Sequence, residues 1–170
     1  DLPPVFTTFR NAVERAQVPP RAPLPAPAAL PALPNKALWS DAQCAALAHI
    51  AAMNDKRSSF NYAGAAFAGG EAAALAHLAQ YLRRKLAHSY KQTRNGLTGV
   101  DYSSKFSPWL ATGALSPRQV MAALRQFEAE HGANDGTYWL WFELLWRDNF
   151  RLLHLQHGAA LYRERGLSAQ

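Results

Sequence analysis

Residues 103–107, Ser103-Ser104-Lys105-Phe106-Ser107, put three hydroxyls and one ammonium within five positions, just ahead of a short helical pattern. Hydroxyls and free backbone N–H groups at a helix start, with a lysine among them, suit an anion such as a phosphate. Gly96 and Gly99 lie upstream, useful where φ must be positive or backbone must approach a ligand. The Walker pattern GxxxxGK[ST] is missing, and no strand precedes the run, so neither a P-loop nor a dinucleotide loop is indicated. Serine caps on a short helix account for the same residues without a ligand.

A second group sits in FELLWRDNF, residues 142–150. Glu143 and Arg147 are four apart on a helical pattern, so an intrahelical ion pair is the default. They lie among Trp139, Trp141, Phe142, Trp146 and Phe150, where charge is costly unless paired or used. The indoles read first as core. Flat rings beside a basic surface can also stack on a base or a flavin. His154 and His157 are three apart without a third ligand nearby, which reads as helix-end solvation. No Ser/His/Asp or Cys/His arrangement points to a hydrolase.

These residues need helices to place them, and the chain reads as all-α. Phe6, Phe9 and Val13 share one face of a helix over 1–16. The Pro-rich stretch 18–36 cannot sustain a helix or ladder and reads as an extended linker. Ser40 caps a helix to about Met53 that packs through Ala45, Leu47, His49 and Ile50. After Gly69-Gly70, a helix from Glu71 carries the stripe Leu75, Leu78, Leu82, Leu86 and fades at His88 to Tyr90. Ser103 or Ser104 caps a short helix to Leu110 or Ala111, ended by Gly113. Ser116-Pro117 starts the next, which buries Val120, Leu124 and Phe127 and stops at Gly132. Asn134-Asp135-Gly136 reads as a turn, with Thr137 capping a helix over 138–156. That helix is apolar nearly all round, so it should be central. Residues 159–170 read as a fraying polar tail.

At 170 residues, 49% of them apolar, the chain can bury a core. No apolar run reaches the roughly 18 residues that cross a bilayer, and no signal segment opens the chain. Its first residue is Asp1, not Met, which suits part of a longer protein. One cysteine, Cys44, excludes an internal disulfide framework and fits a reducing, cytoplasmic setting; an Ala/Leu-rich neighbourhood reads it as buried. The net charge is +6. Between Ala72 and Phe127 the sole acid is Asp101, against Arg83, Arg84, Lys85, Lys91, Arg94, Lys105, Arg118 and Arg125. Such a window suits a polyanion or a phosphate-bearing ligand, or equally a solvated basic face.

Four segments together resemble the cryptochrome/photolyase family, and most of all its DASH-type branch: VFTTFRNAVE (5–14), GGEAAALAHLAQYL (69–82), YKQTRNGLTGVDYSSKFSPWLATGALSPRQV (90–120) and TYWLWFELLWRDNF (137–150). The resemblance implies the last helix of an α/β antenna domain at 1–16, a linker at 17–39, and the N-terminal half of a helical FAD-binding domain at 40–170. It implies FAD contacts for Tyr90, Ser103, Ser104, Lys105, Phe106, Ser107 and Arg147. Arg94 then faces DNA, while Glu143 hydrogen-bonds a flipped pyrimidine dimer and Trp146 packs against it. The implied activity is blue-light-driven electron transfer from reduced FAD that splits cyclobutane pyrimidine dimers, preferentially in single-stranded DNA. A folate antenna can accompany FAD in such a protein. The rest of the family's flavin domain is missing from this chain, so the photo-lyase activity is expected of the longer protein and not of this part alone. Blue-light signalling, or nucleic-acid binding without catalysis, are the competing readings.

Overall fold

A computed structural model describes residues 2–32, 40–52 and 67–168. Its described residues hold seven α-helices and no strand: α1 (Phe6–Ala16), α2 (Asp41–Ala52), α3 (Glu71–Arg83), α4 (Leu86–Thr93), α5 (Ser107–Thr112), α6 (Pro117–His131) and α7 (Asp135–His157). Residues 1–23 and 68–170 make one compact unit, and residues 24–67 another.

In the second unit, described residues 24–32 hold no helix or strand. Ser40 caps α2 as expected: Gln43 N donates to Ser40 Oγ (3.2 Å), and Ser40 N donates to Gln43 Oε1 (2.9 Å). The expected packing of this helix is not found. Residues 41–48 are all exposed, Leu47 and Cys44 included. Small alanines spread around the helix leave it without an apolar stripe to bury. The side chains of His49 and Ile50 lie outside the described residues.

In the first unit, α7 is the element that α1, α4 and α6 pack on, and its contact with α4 is the most extensive. The sequence places its start too late. Asn134 is the cap: its side chain accepts from Thr137 N (3.1 Å), and Thr137 Oγ1 accepts from Asn134 N (3.1 Å). Asp135 and Gly136 are therefore its first turn. This reciprocal capping satisfies two backbone donors at once, which a plain turn would not. The cap is tied to α4 as well, since Asn134 Nδ2 donates to the His88 carbonyl (3.0 Å) and Lys91 pairs with Asp135 (2.6 Å).

The single helix expected from Glu71 is two. Lys85 takes a left-handed φ of 56° between α3 and α4. The break changes the phase of burial. α3 buries Ala74, Leu78 and Tyr81, one helical stripe, whereas α4 buries Ala87 and Tyr90. Of the expected leucine stripe Leu78 is buried, Leu82 and Leu86 are half-buried, and Leu75 stays exposed. Tyr90 thus lies inside a helix and not at a fading end.

Ser116 caps α6 as expected, accepting from Arg118 N (3.2 Å) while Gln119 Oε1 accepts from Ser116 N (2.8 Å). Val120, Met121, Leu124 and Phe127 are buried along it, and Gly132 closes it. α5 starts later than expected, at Ser107, with Phe106 at the cap position and no capping side chain. Gly113 ends α5 in the left-handed region.

α7 is less enclosed than its composition suggests. Leu140 and Leu145 are buried, but Phe150, Leu152 and Leu155 are exposed. Three packed helices cover only part of a face that is apolar all round. Beyond it the described residues hold 3-10 turns over Gly158–Tyr162 and Gly166–Ser168, in place of the expected fraying tail. The Asn149 side chain is buried in α7, and its Nδ2 has no hydrogen-bond partner among the described residues. An unpaired buried donor costs about 1–3 kcal/mol. Asn149→Leu is therefore expected to stabilise the chain by about 1 kcal/mol, read as a higher urea midpoint; a lower midpoint would show that the amide is satisfied in solution.

Candidate functional site

α4 and α7 bring three of the predicted residues together. Tyr90 sits in the last full turn of α4 and is buried. One turn on, Arg94 caps that helix, its N–H bonding the Tyr90 carbonyl (2.9 Å). From there the Arg94 side chain pairs with Glu143 Oε1 of α7 and lies over the Trp139 ring, 4.5 Å from its centroid. The expected Glu143–Arg147 pair is not formed. Arg147 reaches Asp148 instead (3.4 Å). A guanidinium arriving from α4 offers Glu143 a cation already stacked on Trp139, whereas an i,i+4 pair must order two long chains in solvent. Glu143 Oε2 has no partner among the described residues.

Burial pushes the Tyr90 phenol up to about 12, with the Glu143 charge adding to the rise and Arg94 opposing it. Tyr81, also buried, is raised further, first by burial and then by Tyr90 and Asp101. Both phenols stay protonated at neutral pH; the Tyr81 hydroxyl donates a hydrogen bond to the Leu86 carbonyl (3.3 Å).

Glu143 also lines a groove of about 590 Å³ along α7, with Trp146, Arg147, Phe150, Arg151 and His154. Aromatic and guanidinium surface therefore alternate along it. Trp146 stacks on Phe6 of α1, centroids 3.5 Å apart and planes 10° apart, and is flanked by Phe150 at 5.4 Å. α1 is held there by Tyr138 Oη, which donates to Glu14 (2.7 Å). Only the part of the indole bordering the groove remains for another ring. His154 lies against Tyr162, 5.6 Å between rings.

The serine run is held elsewhere, by α3. His77 Nε2 donates to the Ser104 carbonyl (2.8 Å), and the His77 and Tyr81 rings meet Phe106 edge-on. Lys105 takes a φ of 56°, with its ammonium 3.4 Å from the Tyr102 ring centroid. The side-chain hydroxyls of Ser103, Ser104 and Ser107 make no hydrogen bond among the described residues. His77 had no signal in the sequence, as a lone histidine in an alanine-rich helix. Trp139 had one: it is four residues before Glu143, hence on the same face.

Pairing also trims the basic window. Among the described residues Arg84, Lys91, Arg94 and Arg125 each have a carboxylate partner. Arg84 grips Asp101 through two bonds (2.8 and 2.5 Å), and that bond holds the Asp101 carboxyl below its ordinary range. Arg83, Lys85 and Arg118 have no such partner among the described residues. No described helix is long and apolar enough to cross a membrane.

This helical arrangement is that of a cryptochrome. The solved cryptochrome of Synechocystis sp. superposes with a TM-score of 0.72 at 40% identity, over 98% of this chain and 34% of that one. The chain belongs to the cryptochrome/photolyase family. Its similarity runs to the DASH branch: it is 47% identical to cryptochrome DASH of Gloeobacter violaceus over 98% of its length, and 44% identical to cryptochrome DASH of Vibrio parahaemolyticus over 100%. It spans about a third of the length of these relatives, 32% and 35%. No family model matches the chain.

Proposed function

We propose that this chain supplies the linker and first half of the flavin domain of a DASH-type protein that repairs pyrimidine dimers in single-stranded DNA with blue light. The observation that carries this reading is the anchored carboxylate. Arg94 holds Glu143 Oε1, leaving Oε2 able to accept hydrogen bonds at the head of a groove lined by rings and guanidinium groups. A carboxylate fixed at one oxygen accepts N–H groups of an extruded pyrimidine well. Trp146 and Phe150 offer apolar contact to the base, and Arg147 and Arg151 offer charge to the strand.

FAD, when bound, supplies the light-driven electron transfer. Residues of this chain fit part of it. Three unengaged hydroxyls, Ser103, Ser104 and Ser107, suit the acceptors of its diphosphate. Lys105, turned onto Tyr102, would contribute its field more than a direct bond. Buried Tyr90 remains a neutral donor across the physiological range. Arg94 keeps the Glu143 carboxylate fixed, so the dimer meets an oriented acceptor at no cost in reorganisation.

The test of this assignment uses a polypeptide that contains this chain and spans the family's length. After incubation with FAD and desalting, the wild type is expected to keep a structured visible flavin band. A variant with Ser103→Ala, Ser104→Ala and Ser107→Ala should lose about 90% of it or more, since each hydrogen bond to a charged group contributes about 1.5–3 kcal/mol net, roughly tenfold or more in affinity. Equal retention by the two proteins would remove the serine run from the pocket.

A further inference from the structure

We propose that Trp139 is a positioning residue of this site: it clamps the Arg94 guanidinium so that Arg94 holds Glu143 in its accepting orientation. The inference rests on the repair reading for its consequence, but its geometry stands without it. Trp139 and Glu143 are one turn apart on α7, so both present to the same side. Arg94, at the end of α4, fits between them. Its guanidinium lies 4.5 Å from the Trp139 ring centroid while bonding the Glu143 carboxylate.

An exposed arginine loses considerable side-chain freedom on pairing, which is why ion pairs at the surface contribute little. Here both partners are only partly exposed, Arg94 27% and Glu143 37%. A planar cation stacked on an indole has already given up that freedom before it meets the carboxylate. The ring is itself held, packing on Phe142 with centroids 4.5 Å apart. Trp139 touches neither flavin nor DNA in this scheme. It acts through Arg94, and through Arg94 on the carboxylate. A ring that merely filled space would be indifferent to what Arg94 does.

A double-mutant cycle separates these. Arg94→Ala and Glu143→Ala are made singly and together, and their coupling is read from urea unfolding of the chain. In the wild-type background the coupling is expected to be about threefold to fivefold in the unfolding equilibrium constant. It should vanish in a Trp139→Leu background and persist with Trp139→Phe, which keeps a ring under the guanidinium. Trp139→Leu should also erase any preference of the protein for a dimer-containing single strand over the undamaged strand, and Glu143→Gln is expected to do the same. Coupling that survives Trp139→Leu overturns the proposal, whatever happens to DNA binding. Coupling lost with Trp139→Leu, in a protein with no preference for dimers, supports the clamp and sinks the repair reading separately.

Discussion

Gly136→Ala should cost the chain about 3 kcal/mol of stability, at the upper end of what overpacking usually does. The new Cβ would lie 2.6 Å from the His88 carbonyl carbon and closer still to the carbonyl oxygens of Ala87 and His88. These are backbone atoms of α4, so no rotamer change relieves the clash. Separating α4 from α7 would pull Lys91 from Asp135 and Arg94 from Glu143 as well. Gly69→Ala is the control, because nothing lies within 4 Å of its would-be Cβ. If both variants unfold at the same urea concentration, α4 and α7 do not approach as described.

The second large effect is expected in alkali. The folded phenol of Tyr90 titrates at about 12, while an unfolded tyrosine titrates near 10. Between those values the unfolded chain has released a proton that the folded chain keeps. Unfolding then gains free energy as pH rises, so this contribution is intact below about pH 10 and lost by about pH 12. Two pH units of difference correspond to about 2–3 kcal/mol. Tyr81, raised in the same direction, adds to the loss. Urea midpoints at pH 9 and pH 12 should therefore diverge, and Tyr90→Phe should narrow the gap. A gap unchanged by Tyr90→Phe and by Tyr81→Phe would place both rings in water.

Local signals in the sequence were dependable where they are self-contained. Ser116-Pro117 and Ser40 are caps because their own side chains complete the first turn, and both do so here. The all-α class, the stripe of α6 and the stops at Gly113 and Gly132 follow from periodicity and glycine chemistry in the same way. Tertiary choices were not visible. Lys85 breaks a good helical pattern because two packing directions must be met, and no residue type at 84–85 announces it. Cys44 was read from its apolar neighbours, yet composition does not say whether anything covers a helix.

The site divides similarly. Spacing alone put Glu143 and Arg147 on one side of a helix, and they share a groove. It also suggested the wrong partner for Glu143, since the competing cation comes from 49 residues away. The resemblance named Arg94 and Glu143 separately; their pairing follows from the α4–α7 contact, which Gly136 permits. Phe6 on Trp146 is of the same kind, a contact between distant segments that no local pattern encodes.

The central claim is that Glu143 is presented to a pyrimidine dimer, and light-driven repair measures it most directly. A flavin-loaded polypeptide of family length containing this chain is illuminated with blue light in the presence of a single strand carrying one cyclobutane dimer. Dimer splitting is predicted for the wild type. Glu143→Gln should lower its kcat/KM about tenfold, as expected for loss of one charge-assisted hydrogen bond of roughly 1.5 kcal/mol. No splitting by the flavin-loaded wild type, or equal rates for the two proteins, would contradict the account and favour a light sensor built on the same helices.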